Sequence, residues 1–184
     1  MESIMHSYLI SLTVFSIMFS FRHGFVAAEA STGSDLVSKV CKEVPFKDLC
    51  ISNLGSHPNS KQLDLAGLGS LSLKIAMETA ANTSVKIGEL LEKSPDTFEG
   101  QCLSDCAENF LDATDQLEDS IAALDSKGYS DVGTWVHAAM ADAESCARGF
   151  NEQPGSPSPL ADISNIFHRQ CRNALAINKL LSVA

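Results

Sequence analysis

The sequence predicts an all-α fold, an up-down-up-down four-helix bundle preceded by a disulfide-stapled N-terminal helical hairpin. Three observations carry this. Four segments of roughly 20 to 30 residues repeat apolar residues at three- and four-residue steps and are joined by short links. No strand-like alternation of useful length appears. Upstream, CKEVPFKDLC brackets a proline-broken stretch between Cys41 and Cys50.

The compartment comes first, because it decides what cysteines do. Tyr8 to Phe21 is a run without charge, followed by Arg22-His23 and by VAAEAS with small residues at A-x-A spacing. This pattern reads as a secretory signal peptide over 1–30, cleaved after Ala28 or Ala30. The run is shorter than the about 20 apolar residues a bilayer-spanning helix needs, which favours a leader over an anchor. Removing it takes Arg22, Glu2 and Glu29 from the 13 basic and 23 acidic residues, leaving 12 against 21. So acidic a chain disfavours nucleic acid and anionic membrane as partners and suits a basic one. The remainder, 31–184, is long enough for one domain with a real core.

In the hairpin, 35–55, two short helical segments, Asp35 to Glu43 and Phe46 to Leu54, are broken at Val44-Pro45. Neither is stable alone in water. A Cys41–Cys50 bridge would stabilise the pair by about 2.7 kcal/mol in the chain-entropy model.

The bundle occupies 61–182. Its first helix is expected from about Lys61 to Lys93, with a face through Leu65, Leu68, Ser72, Ile75, Thr79, Asn82, Lys86 and Leu90 that weakens in its second half. The second runs from Cys102 to Ser126 on Leu103, Cys106, Phe110, Ala113, Leu117, Ile121 and Leu124. The third starts at Asp131, a favourable cap, and carries Val132, Trp135, Val136, Ala139, Met140, Ala143, Cys146 and Phe150 on its apolar face. After the surface loop NEQPGSPSP, the fourth begins with Ser158 as cap and Pro159 in the first turn, and carries Ile163, Ile166, Phe167, Gln170, Cys171, Ala174, Ile177 and Leu181 at helical spacing.

Six cysteines in a secreted chain point to disulfides before zinc or redox chemistry, although spacing alone leaves fifteen full pairings open. Bundle geometry puts Cys106 and Cys146 at similar height, where a bridge would close a long loop worth about 3.9 kcal/mol. It puts Cys171 roughly 18 Å down its helix from the end where Cys102 sits, so Cys102 and Cys171 are expected to stay free, Cys102 near the exposed end of its helix.

Catalytic patterns are sparse. No G-x-S-x-G elbow is present, and His137 and His168 read as polar-face or partly buried bundle residues. A zinc site drawn from Cys102, Cys106, Cys146, His168 and Cys171 is opposed by secretion and by the height argument. GLGS at 67–70 lacks the preceding strand of a phosphate loop and reads as small residues for close helix packing. No cofactor is expected. Asn82-Thr83-Ser84 is an N-glycosylation acceptor pattern. A carrier using the bundle core would need a cavity that the plentiful Leu, Ile, Phe and Met would fill.

One feature exceeds core formation. Cys102 to Ser126 contains Asp105, Glu108, Asp112, Asp115, Glu118, Asp119 and Asp125 and no Lys or Arg. Glu108, Asp112, Asp115 and Asp119 recur at steps of four, three and four, one stripe beside the apolar face. Like charges at that spacing repel without an intrahelical cation, which favours a partner role over a merely solvated face.

The stretches CKEVPFKDLC, DLAGLGSLSLKIA, CAENFLDATDQLEDSIAAL and GYSDVGTWVHAAMADAESCARGF together resemble the plant invertase and pectin methylesterase inhibitor family across essentially the whole mature chain. The resemblance implies a four-helix bundle behind a stapled hairpin, and fixes the disulfides as Cys41–Cys50 and Cys106–Cys146. Cys171 matches a cysteine often free in the family, while Cys102 has no such counterpart. It also implies a non-enzymatic inhibitor, a monomer in a 1:1 complex with an enzyme of the cell wall. Invertase inhibitors of this family carry Pro-Lys-Phe before the third bundle helix, where this chain has Lys127-Gly128-Tyr129. The target implied is therefore pectin methylesterase, with cell-wall or vacuolar invertase as the alternative. In methylesterase inhibitors an acid-x3-acid-x2-acid row faces the enzyme. Glu108, Asp112 and Asp115 match it, and Ser145 matches a contacting hydroxyl residue.

Overall fold

The structure is a computed structural model and describes residues 33–93, 97–152 and 157–184. The expected signal segment lies outside them. The described residues form helices α1 (Gly33–Lys42), α2 (Lys47–Ser56), α3 (Leu65–Leu91), α4 (Phe98–Asp125), α5 (Tyr129–Asn151) and α6 (Ala161–Ser182), with a 3-10 turn at Ser60–Gln62. No strand occurs among them.

Helices α3 to α6 form the bundle. Each packs on its neighbours in sequence, and α3 closes the ring against α6. Across the centre, Phe110 of α4 meets Phe167 of α6 edge to face, with centroids 5.8 Å apart, a favoured aromatic geometry. Phe110, Phe150, Phe167, Leu103, Leu117 and Leu73 are all fully buried around this pair.

Several helix starts differ from the sequence expectation, each for a local reason. Asp64 caps α3 by accepting the Gly67 N–H at 2.8 Å, and Thr97 caps α4 by accepting the Gly100 N–H at 3.0 Å, so α4 begins a full turn before Cys102. Asp131 is not the cap of α5. Gly128 holds that position, and Asp131 lies in the first turn, where its charge still complements the helix dipole. The fourth helix starts at Ala161 rather than at Pro159, while Ser158 Oγ accepts the Leu160 N–H in the preceding turn.

The α3 face is also rotated from the one expected. Gly69, Leu73, Ala76, Ala80, Thr83 and Ile87 point inward, and Asn82 and Lys86 are exposed. Gly69 explains why this face contains small residues. A Cβ there would meet Leu181 Cδ1 at 3.0 Å and Leu124 Cδ2 at 3.4 Å, so the GLGS stretch permits α3 to approach α4 and α6.

Cys41 and Cys50 are bonded, with Cα atoms 5.5 Å apart. The hairpin they close forms its own apolar cluster, in which Val37, Val40, Val44 and Leu54 pack on Leu68 and Leu71 of α3 and Ile177 of α6. A second bond joins Cys106 to Cys146, with Cα atoms 4.7 Å apart.

Candidate partner interface

The Cys106–Cys146 bond sets the register of antiparallel α4 and α5, and the buried Ser120 hydroxyl reaches the Val132 carbonyl oxygen at 3.5 Å in the same register. This places Glu108, Asp112 and Asp115 of α4 at the heights of Glu144, Met140 and His137 of α5. The covalent tie fixes the two helices as one face.

Helix α4 contains eight acidic residues and no Lys or Arg. Glu108, Asp112, Asp115 and Asp119 are all exposed, while Cys106, Phe110, Ala113 and Leu117 are buried. Advancing 100° per residue sets the row opposite the core rather than beside it, so it is the outermost line of the helix. No ion pair holds any of the four among the described residues. Leu111, 59% exposed, sits one turn from Glu108 and from Asp115 and adds an apolar side chain to the charged face.

Ser145 is half-buried on α5, and its Oγ accepts a hydrogen bond from Arg148 Nη2 at 2.6 Å. Its hydroxyl hydrogen remains available to an outside acceptor. Trp135, expected in the core, is 37% exposed. A large aromatic with one wet edge suits an interface better than a bundle centre.

Between the acidic row and Ser145 lies Asp142 of α5, which sequence reading missed because a single Asp on a mixed helix face carries no periodic signal. Burial pushes its carboxyl above the ordinary carboxylate range. A hydrogen bond from Gln116 works against the rise, and the negative charge of Asp112 adds to it.

Other candidates fall elsewhere. Asn82 is exposed on α3, with the Thr83 side chain buried beside it and donating to the Thr79 carbonyl at 2.7 Å. Cys102 is buried against the bundle rather than exposed at a helix end, and Cys171 is fully buried; both thiols are free. Burial pushes the Cys171 thiol up to about 12 and also raises Cys102. His168 Nε2 lies 3.1 Å from Glu144 Oε1 across the α5/α6 seam, beside a surface groove of about 380 Å³. With Cys106 and Cys146 bonded to each other and His168 engaged by Glu144, the zinc arrangement drawn from them is not assembled.

The six-helix architecture, two disulfides and acidic α4 can now be compared with known proteins. The model for the plant invertase/pectin methylesterase inhibitor family matches residues 35–177. The chain belongs to that family. It is an enzyme inhibitor, not an enzyme, and its partner is an enzyme of the kind the family name states. A Platanus acerifolia protein named "Putative invertase inhibitor" is 30% identical over 173 residues, covering 91% of this chain and 97% of that protein. The "Pectinesterase inhibitor" of Actinidia deliciosa is 32% identical over 146 residues, 79% of each chain. In fold, the chain is similar to the crystal structure of mutant form A of a pectin methylesterase inhibitor from Arabidopsis. The TM-score is 0.65 at 20% identity, covering 78% of this chain and 95% of that one.

Proposed function

We propose that this family member is a secreted inhibitor of a plant pectin methylesterase that occludes the enzyme's substrate cleft in a stoichiometric, non-covalent complex. The observation that carries the reading is the outward row Glu108, Asp112, Asp115 and Asp119 on a helix without a single cation. Over its eleven-residue rise the row is about 16 Å long. A basic rim on the partner would relieve its self-repulsion and speed encounter. Rigidity favours the same role, because the Cys106–Cys146 bond fixes Ser145 relative to the row and reduces the ordering cost of docking. The apolar faces are consumed by the core, which speaks against a carrier for small ligands.

The link between α4 and α5 supports the choice of target. Lys127 has φ of 59°. Its N–H donates to the Leu124 carbonyl at 2.9 Å and the Gly128 N–H to the Ala123 carbonyl at 2.8 Å, the two bonds of a Schellman motif. A proline at 127 could neither take a positive φ nor donate that bond. The Pro-Lys-Phe connector of invertase inhibitors is therefore incompatible with this turn. Inhibition of an acid invertase is the second reading, favoured by the name of the Platanus relative.

Purified protein lacking the leader, titrated separately into pectin methylesterase and acid invertase assays, tests the proposal. Loss of methylesterase activity near equimolar ratio, with invertase unaffected, is the expected result. Silencing of invertase alone would overturn it.

A further inference from the structure

The charges of this chain are segregated between two helices. Helix α4 carries eight acidic residues and no cation, whereas α6 beyond Asp162 carries Arg169, Arg172 and Lys179 and no carboxylate. The two helices sit on the diagonal of the bundle, each packed on α3 and on α5, so their outer faces look away from each other. Arg172 and Lys179 are both exposed. Seven residues apart, they stand within about 20° of each other around the helix and about 10 Å apart along it.

The hairpin adds to the same face. The guanidinium carbons of Arg169 and Arg172 lie 4.6 and 5.4 Å from the centroid of one ring, that of Phe46, and the exposed Lys47 follows Phe46 directly. Glu43 and Asp48 are exposed on either side of Phe46 in sequence, yet among the described residues neither forms an ion pair with either arginine. Two like charges gathered on one ring repel, and an outside anion relieves that repulsion. The net negative charge of the chain does little against it. With helices about 10 to 12 Å across, the acids of α4 act from roughly 20 Å away, more than two screening lengths of about 8 Å at physiological salt.

We infer that this basic face, Arg169, Arg172 and Lys179 with Lys47, binds a row of carboxylates, and that its partner is pectin in the de-esterified form. From Arg169 to Lys179 the cations are spread along about 15 Å of helix, which fits a linear polymer bearing repeated carboxylates better than a compact anion. Each guanidinium fork can take one carboxylate bidentately. The choice of polymer rests on the functional reading above, which sets the chain beside an enzyme that frees these carboxylates from methyl esters. Because the basic face is separate from the acidic row, a chain held on the polymer still presents α4 to the enzyme.

Affinity electrophoresis of the protein lacking the leader, at low salt, tests the inference in gels containing polygalacturonate or fully methyl-esterified pectin. Retardation by polygalacturonate alone, abolished by salt, is the expected result. Arg172→Gln should weaken it about tenfold, the scale of one charge-assisted contact, while Lys86→Gln, the same loss of charge on an exposed part of α3, should stay within about twofold of wild type. Both variants should melt like wild type and inhibit methylesterase unchanged. Failure of the wild type to inhibit would overturn the functional reading and leave polymer binding measurable on its own. Equal retardation by the two polymers, equal losses in Arg172→Gln and Lys86→Gln, or retention by anionic lipid vesicles and not by polygalacturonate would overturn the inference.

Discussion

Asn173 grips the backbone of Phe46 with both ends of its amide. The Phe46 N–H donates to Asn173 Oδ1 at 3.0 Å, and Asn173 Nδ2 donates to the Phe46 carbonyl at 3.0 Å. Phe46 opens α2 with no side-chain cap of its own, so α6 supplies what the hairpin lacks. The guanidinium carbon of Arg169 lies 4.6 Å from the Phe46 ring centroid and that of Arg172 5.4 Å, holding the same residue from its side chain.

Replacing Asn173 by Ala would strand the Phe46 N–H, while the Phe46 carbonyl keeps the bond it accepts from the Cys50 N–H at 2.9 Å, and is expected to destabilise the protein by about 2 kcal/mol, lowering Tm by roughly 4 to 8 °C. Asn173→Asp keeps the acceptor and loses the donor, so its melt should fall in between. Inhibition should survive in both below the melt, because the hairpin lies on α3 and α6, away from the acidic row.

Peptide mapping without reduction should recover Cys41 linked to Cys50 and Cys106 linked to Cys146. Cys102 and Cys171 should resist iodoacetamide in the native state, since both are buried and their thiolates are disfavoured. Both should react fully after denaturation. A covalent dimer through Cys102 in the native protein would contradict its burial.

How much of this was legible in the sequence follows from how strongly each position was determined. The faces of α4 and α6 read well because Phe110, Leu117, Phe167 and Ile177 are large and regularly spaced, although Ile166 of the α6 series is 42% exposed. That of α3 was read one step off, because its buried line is Gly69, Ala76, Ala80 and Thr83, residues that carry little hydropathy and face inward because helices approach closely there. Trp135 was placed on the apolar face by its three- and four-residue steps to Val132 and Ala139, a spacing that does not separate the centre of a buried face from its half-exposed edge. Asp142 and Gln116 had no signature, since what marks them is the register between two helices, which only the folded chain supplies.

Asp142 also makes a prediction for stability against pH. Its carboxyl titrates higher in the folded protein than in the unfolded chain, so the fold binds that proton more tightly. The resulting stabilisation is fully present below the ordinary carboxylate value of about 3.9 and is lost as pH rises through the raised folded value. Asp142→Asn cannot titrate. Its Tm relative to wild type should therefore rise from acidic to neutral pH, and a difference constant across that range would contradict the assignment.

At the α4/α5 turn, Lys127→Gly should stabilise by about 0.5 to 1 kcal/mol, because glycine takes a positive φ without the Cβ penalty. Lys127→Pro should destabilise by more than that gain, having lost both the conformation and the donor to Leu124. Denaturant midpoints of the two variants check the pair.

The central claim, that the acidic row is where the enzyme is held, is tested most directly by the affinity of Asp112→Lys for pectin methylesterase at low salt. Reversal disrupts at least one charge-assisted contact and adds repulsion with any facing cation, so inhibition should weaken by roughly 30-fold or more. The fold should not suffer, because a cation among Glu108, Asp115 and Asp119 on an exposed helix face changes stability by only about 0.5 kcal/mol, in the favourable direction. A variant that melts like wild type and binds at least 30-fold more weakly is the predicted result. A variant that melts like wild type and inhibits with unchanged affinity would show that the row is a solvated face and that the enzyme is held elsewhere on the bundle.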